Sequence, residues 1–128
     1  MKQSEVEERA THTITTQRIY DDAAVQTGKR ILVDRLWSRG VTRERAALDL
    51  WLKEVAPSTA LRQWFHSGQG SWEEFRTRYE AEPAADPAPF EVLLERARQE
   101  PIVLLYGARD EEQNHAVILK RLLKSRLT

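Results

Sequence analysis

The chain has 128 residues, 41% hydrophobic and 31% charged, which suits one domain with a single core. It has no cysteine, so disulfides, thiolate metal centres, iron–sulfur clusters and cysteine nucleophiles are all excluded. Lys+Arg and Asp+Glu number 20 each, which disfavours a uniformly basic nucleic-acid binder but leaves room for a local patch. No stretch approaches the ~20 apolar residues of a membrane helix. The opening MKQSEVEER lacks the apolar run of a signal peptide, so a cytosolic address is the default expectation.

Residues 1–11 read as a flexible polar tail, and 12–128 as one domain. Thr13–Tyr20 is rich in β-branched residues and predicts a strand. A loop ending at Gly28 precedes Arg30–Trp37, where Ile31, Leu32 and Val33 follow one another as in a strand buried on both faces. Ser38-Arg39-Gly40 breaks it, and Thr42 is placed to cap a short helical turn through Ala47. Leu48–Lys53 alternates apolar and polar and predicts a third strand, with a helix as the rival reading. Ser58 caps a helix carrying Leu61, Trp64 and Phe65. Ser71 and Glu74 form a capping box before Trp72, Phe75 and Tyr79. EPAADPAP reads as a connector, after which Asp86 and Pro87 open a helix with Phe90, Leu93, Leu94 and Ala97 on one face. Pro101–Tyr106 is the clearest buried strand. The last helix is expected to start at Asp110, with Gln113 as reciprocal partner and Ala116, Ile118, Leu119, Leu122 and Leu123 inward.

Strands interleaved with helices predict an α/β fold, a mostly parallel sheet of about four strands flanked by helices. Ligands of such sheets collect beyond the strands' carboxyl ends. Two segments leave such ends with unusual chemistry. One is DRLWSRG, with Asp34, Arg35, Trp37 and Arg39; strand alternation sends Arg35 and Trp37 to the same face. It reads either as an Asp–Arg ion pair fixing a loop or as an anion site with forked donors and a stacking ring. The other spans Tyr106, Arg109, Asp110, Asn114 and His115, at a strand end and helix start where backbone donors favour anions. A lone histidine is more often a structural hydrogen-bonder than a catalyst, yet His115 sits where catalysts sit. His12 and His66 are weaker candidates, and no HExxH or dense Asp cluster supports a metal. Residues 28–53 hold seven Lys+Arg against three Asp+Glu, interleaved with Trp37 and Trp51. That suits a nucleotide or single strand, or simply complements acidic helices elsewhere.

LVDRLWSRGV, LDLWLKEVAPS, LRQWF, SWEEFRTRYEAE and VLLYGARDEEQNHAVIL, in this order, resemble the YeaO-like branch of the bacterial domain of unknown function 488 family. The resemblance covers about residues 17–124. It implies a small bacterial cytosolic α/β protein and matches Asp34, Arg35, Trp37, Arg39, Asp110 and His115 to family positions. Broader relatives often carry cysteines where Tyr106 and Asn114 stand here, and the branch usually has proline at Ser38.

The expected function is binding of a small anionic, nucleotide-like ligand. Arg35 or Arg39 and Arg109 would hold its charge, Trp37 or Tyr106 would stack, and Asn114 would line the site. The enzyme alternative is a hydrolase or transferase acting on a nucleotide or nucleobase, with Asp34 and His115 as acid–base pair and no metal or cofactor. A third reading uses exposed tryptophans as protein anchors. Substrate, pathway and oligomeric state are not written in the sequence.

Overall fold

The computed structural model describes residues 13–23 and 27–127; the expected tail and His12 lie outside them. Strand β4 (Ile102–Tyr106) is apolar throughout, and all five residues are buried. It therefore takes the middle of the sheet, flanked by β1 (Ile14–Arg18) on one side and β2 (Lys29–Leu32) on the other, with β3 (Leu50–Trp51) outermost. Every pairing is parallel. Among the described residues, five α-helices complete the α/β domain: α1 (Arg43–Ala46), α2 (Thr59–His66), α3 (Trp72–Ala85), α4 (Ala88–Gln99) and α5 (His115–Leu127). None of them is long and apolar enough to cross a membrane.

The caps read from the sequence at Thr42, Ser58 and Ser71 are present, the last as a full capping box with Glu74. The two faces of the sheet are covered very differently. Ile31, Val33, Ile102, Leu104 and Tyr106 face the long helices, packing with Phe75, Tyr79, Phe90, Leu94 and Leu119. Leu32, Val103 and Leu105 face the other way, under a segment that brings Val41 and Ala46 and leans on Trp37 and Trp51. Arg30 reaches through this thinner layer to donate its Nε–H to the Ala46 carbonyl at 2.9 Å. Burial lowers its pKa, against the pull of Asp49 and Asp22.

Three boundaries differ from the sequence reading. The second strand stops at Leu32 rather than Trp37, with one further ladder bond from Val33 N–H to the Leu105 carbonyl at 3.1 Å. The third strand is two residues long, as befits an edge with one partner. Most of EPAADPAP is helical: α3 runs to Ala85 with Pro83 inside it. The Glu82 carboxylate accepts both the Ser58 N–H at 3.0 Å and the Ser58 hydroxyl at 2.7 Å, a tertiary tie that holds this last turn although Pro83 lacks an N–H.

Of the residues expected inward, Leu61, Phe75, Phe90, Leu94 and Leu119 are buried, while Trp64, Phe65, Trp72 and Leu122 are half-buried against the same core. Phe75 touches Phe65 and Trp72 at centroid distances of 4.7 and 5.4 Å. Truncating Phe75 or Phe90 to Ala should cost ~3–5 kcal/mol in denaturant unfolding. A loss under about 1 kcal/mol would show that the site collapses freely and that neither ring organises the core.

Candidate functional site

Adjacent parallel strands bring the exits of β2 and β4 side by side. There the Asp34 carboxylate accepts the Gly107 N–H through Oδ2 at 2.8 Å. A side chain at residue 107 would crowd this contact. A Cβ there would lie 2.9 Å from Ser38 Oγ and 3.1 Å from Asp34 Oδ2. From behind, the Trp51 indole donates to the Asp34 carbonyl at 2.7 Å.

His115 completes the centre. Its Nε2 lies 2.9 Å from the Val33 carbonyl and 3.2 Å from Asp34 Oδ1. A carbonyl oxygen only accepts, so Nε2 carries a hydrogen and is the donor here. Asp34 Oδ1 is buried and accepts no well-aligned hydrogen bond, which leaves its contact with His115 electrostatic. The Tyr79 ring stands edge-on to the imidazole at 6.1 Å. Its hydroxyl donates to the Val55 carbonyl, and burial pushes the phenol well above its ordinary range.

The start of α5 differs from expectation, and the difference is what places His115. Asp110 does not cap the helix; its Oδ1 accepts the Glu112 and Gln113 N–H groups, both at 2.9 Å, and these bonds lower its pKa. Asn114 caps instead, accepting the Val117 N–H at 3.0 Å while its amide donates to the Asp110 carbonyl at 2.9 Å. His115 is thus the first helical residue, not one a turn inside. Two short polar tiers hand the chain from strand to helix, and the imidazole drops onto the end of β2.

A pocket of about 240 Å³ opens over this centre. The strand-end loops supply Asp34, Arg35, Leu36, Gln113 and Asn114, and the start of α5 supplies His115. Helices α2 and α3 supply the opposite wall: Arg62, Phe65, His66, Trp72 and Phe75. The two predicted segments therefore share one concavity, and Asp34, Arg35, Asn114 and His115 all border it.

Trp37, Arg39, Tyr106 and Arg109 do not line it. Strand alternation was expected to carry Trp37 alongside Arg35, but the ladder ends at Leu32 and the chain folds under the sheet. Trp37 there donates to the Val41 carbonyl at 2.7 Å, packs on Trp51 at 5.4 Å and lies beneath the Arg43 guanidinium at 4.1 Å. Arg39 is exposed, with its carbonyl accepting the Tyr20 hydroxyl at 3.0 Å. Tyr106 is 2% exposed, a core residue whose phenol pKa is raised chiefly by burial. Arg109 is exposed. The pocket's cations are instead Arg35 and Arg62. Arg62, Phe65 and His66 stand at i, i+3 and i+4 on α2; that spacing was visible in the sequence, but Phe65 read as core and His66 as a helix-end contact. Among the described residues, no group of three or more His, Asp or Glu is placed to hold a metal ion.

Replacing Gly107 by Ala should cost ~1.5–3 kcal/mol, the range for a charged hydrogen bond, because the new methyl drives Asp34 off the strand end. The same change in a Ser38→Ala background should cost measurably less, since Ser38 Oγ is the nearer obstacle. Equal losses in the two backgrounds, read from urea unfolding, would show that the close approach is not what demands glycine.

No solved structure matches the chain. Among curated proteins, it is 44% identical over 112 residues to the uncharacterised Escherichia coli protein YeaO, spanning 88% of this chain and 97% of that one. It is 32% identical over 113 residues to an uncharacterised Mycobacterium bovis protein, spanning 88% and 95%. Residues 13–128 match the family described as the inactive DUF488-N3 subclade. The chain thus belongs to the DUF488 family as a YeaO-like member.

Proposed function

We propose that the protein binds a small anionic, nucleotide-like molecule in the pocket between the β2 and β4 exits. The observation that carries this reading is the composition of that pocket. Phe65, Trp72 and Phe75 offer an aromatic wall, Arg35 and Arg62 offer positive charge, and a fixed polar centre lies between them. Aromatic faces hold a planar ring, and forked guanidinium donors hold a carboxylate or phosphate. The volume suits a ring with its substituents rather than a dinucleotide. The description of the matched family as inactive favours binding over turnover.

The tryptophans lend little to a protein-anchor reading. None is fully exposed, and cations already lie over three of them: Arg43 over Trp37, Lys53 over Trp51 and Arg78 over Trp64. The same contacts use up the basic and aromatic interleaving of residues 28–53, which weakens the case for a nucleic-acid strand.

The enzyme reading, a hydrolase or transferase acting on a nucleotide or nucleobase, draws on the 3.2 Å approach of His115 to Asp34. In it, His115 Nδ1 is the proton acceptor and Asp34 the orienting group. Asp34 itself makes a poor base, because Oδ2 is engaged by Gly107 and Oδ1 is shielded.

Titration of the four ribonucleoside monophosphates by calorimetry tests the binding reading. At least one should bind, and Arg62→Ala should weaken it by ~1.5–3 kcal/mol, roughly ten- to a hundredfold. Binding unchanged by that substitution would move the ligand elsewhere. If nucleotide turnover is detected, His115→Gln should abolish it while leaving affinity nearly intact; full activity in that variant would make His115 purely structural.

A further inference from the structure

The candidate pocket shares a wall with a second cavity of about 310 Å³, and Arg35 and Ala56 border both. The second cavity differs in character. Its floor is apolar, including Val55 and Phe90, and its rim carries Glu54, Glu82 and Asp86. Glu82 is engaged by Ser58, while Glu54 and Asp86 are exposed.

Arg35 is the partition, and it is held loosely. Its Nη2 reaches the Ala56 and Pro57 carbonyls at 3.3 and 3.4 Å, beyond the usual span for N–H···O bonds. Its Nε is buried and has no partner. An unmet donor away from water is a standing cost, relieved when an acceptor arrives. The guanidinium can therefore turn toward an anion entering between the cavities at little expense in existing bonds.

Volume points the same way. Each cavity alone lies near or below the low end of small-molecule sites, ~300–1,000 Å³, whereas the pair falls well within it. Charge then sets the order of groups along the ligand. The ring belongs in the aromatic half, the anion at Arg35, and a cation beside Glu54 and Asp86. An anion in the middle must continue on both sides. A terminal phosphate would turn its second negative charge toward the acidic rim, while a diester carries one charge and extends past it.

We propose that the two cavities are halves of one ligand site with Arg35 at its waist, and that the ligand is an anionic diester joining a nucleoside-like ring to an amine-bearing arm. This rests on the nucleotide reading above and goes further, because it gives the second cavity an occupant. Calorimetry with the best-bound nucleoside monophosphate and its 3-aminopropyl diester tests it. The diester should bind at least tenfold more tightly. The double variant Glu54→Gln/Asp86→Asn, altered only at exposed positions, should erase that gain and leave monophosphate affinity within about twofold. Arg35→Ala should weaken both ligands. Equal affinities for the two ligands, or a gain that survives in the double variant, would overturn the joined site while leaving the monophosphate pocket standing. If neither ligand binds, the nucleotide reading and this extension fall together.

Discussion

The molecule depends most on one hydrogen bond, from the Gly107 N–H to the Asp34 carboxylate. It closes the gap between the exits of the two central strands, where the sheet's own ladder has already run out. Three neighbours rely on it. Trp51 grips the Asp34 carbonyl from the far layer, His115 settles against the other carboxylate oxygen, and Ser38 packs where a side chain on residue 107 would be. A charge-assisted bond in a poorly hydrated place is stronger than its neutral counterpart. Loss of the donor would strand a carboxylate and loss of the carboxylate would strand the Gly107 N–H, so the tie is expensive to break from either side.

The uneven covering of the sheet explains why chemistry gathers on one side. The long helices lie on a single face, so the strand exits on that side meet helix surfaces and enclose volume. On the other face, the chain from Trp37 to Leu48 packs Val41 and Ala46 against Leu32, Val103 and Leu105. The same connection thus serves both layers. Its first residues border the pocket, and the next ones pack as a lid beneath the sheet.

Much of the architecture was legible in the sequence because it rests on local rules. Continuous apolar runs identified β2 and β4 as the central strands, and hydroxyl caps located the starts of α1, α2 and α3. The Asp34–His115 pairing was legible too, since parallel neighbours place their exits together. What escaped depended on tertiary contact. Alternation misplaced Trp37 because a strand's end is decided by where its partner stops. Asp110 looked like a helix cap because it has a cap's chemistry, but Asn114 makes the bond. Pro83 read as a break because its tolerance comes from Glu82 reaching Ser58, 24 positions away in the chain. The pocket wall that carries Arg62 and His66 is set by how α2 packs against α3, which no local pattern encodes.

The polar centre is anchored to main-chain atoms: the Val33 carbonyl holds His115, and the Gly107 amide holds Asp34. Main-chain atoms do not change with sequence. The walls, by contrast, are built from side chains on α2 and α3 that contribute nothing to holding the pair. Selection can therefore exchange Arg62, altering what the pocket admits without moving its centre. Charge at the wall can thus drift at Arg62 without touching the core, whereas Phe65, Trp72 and Phe75 serve wall and core together and tie ligand preference to the fold.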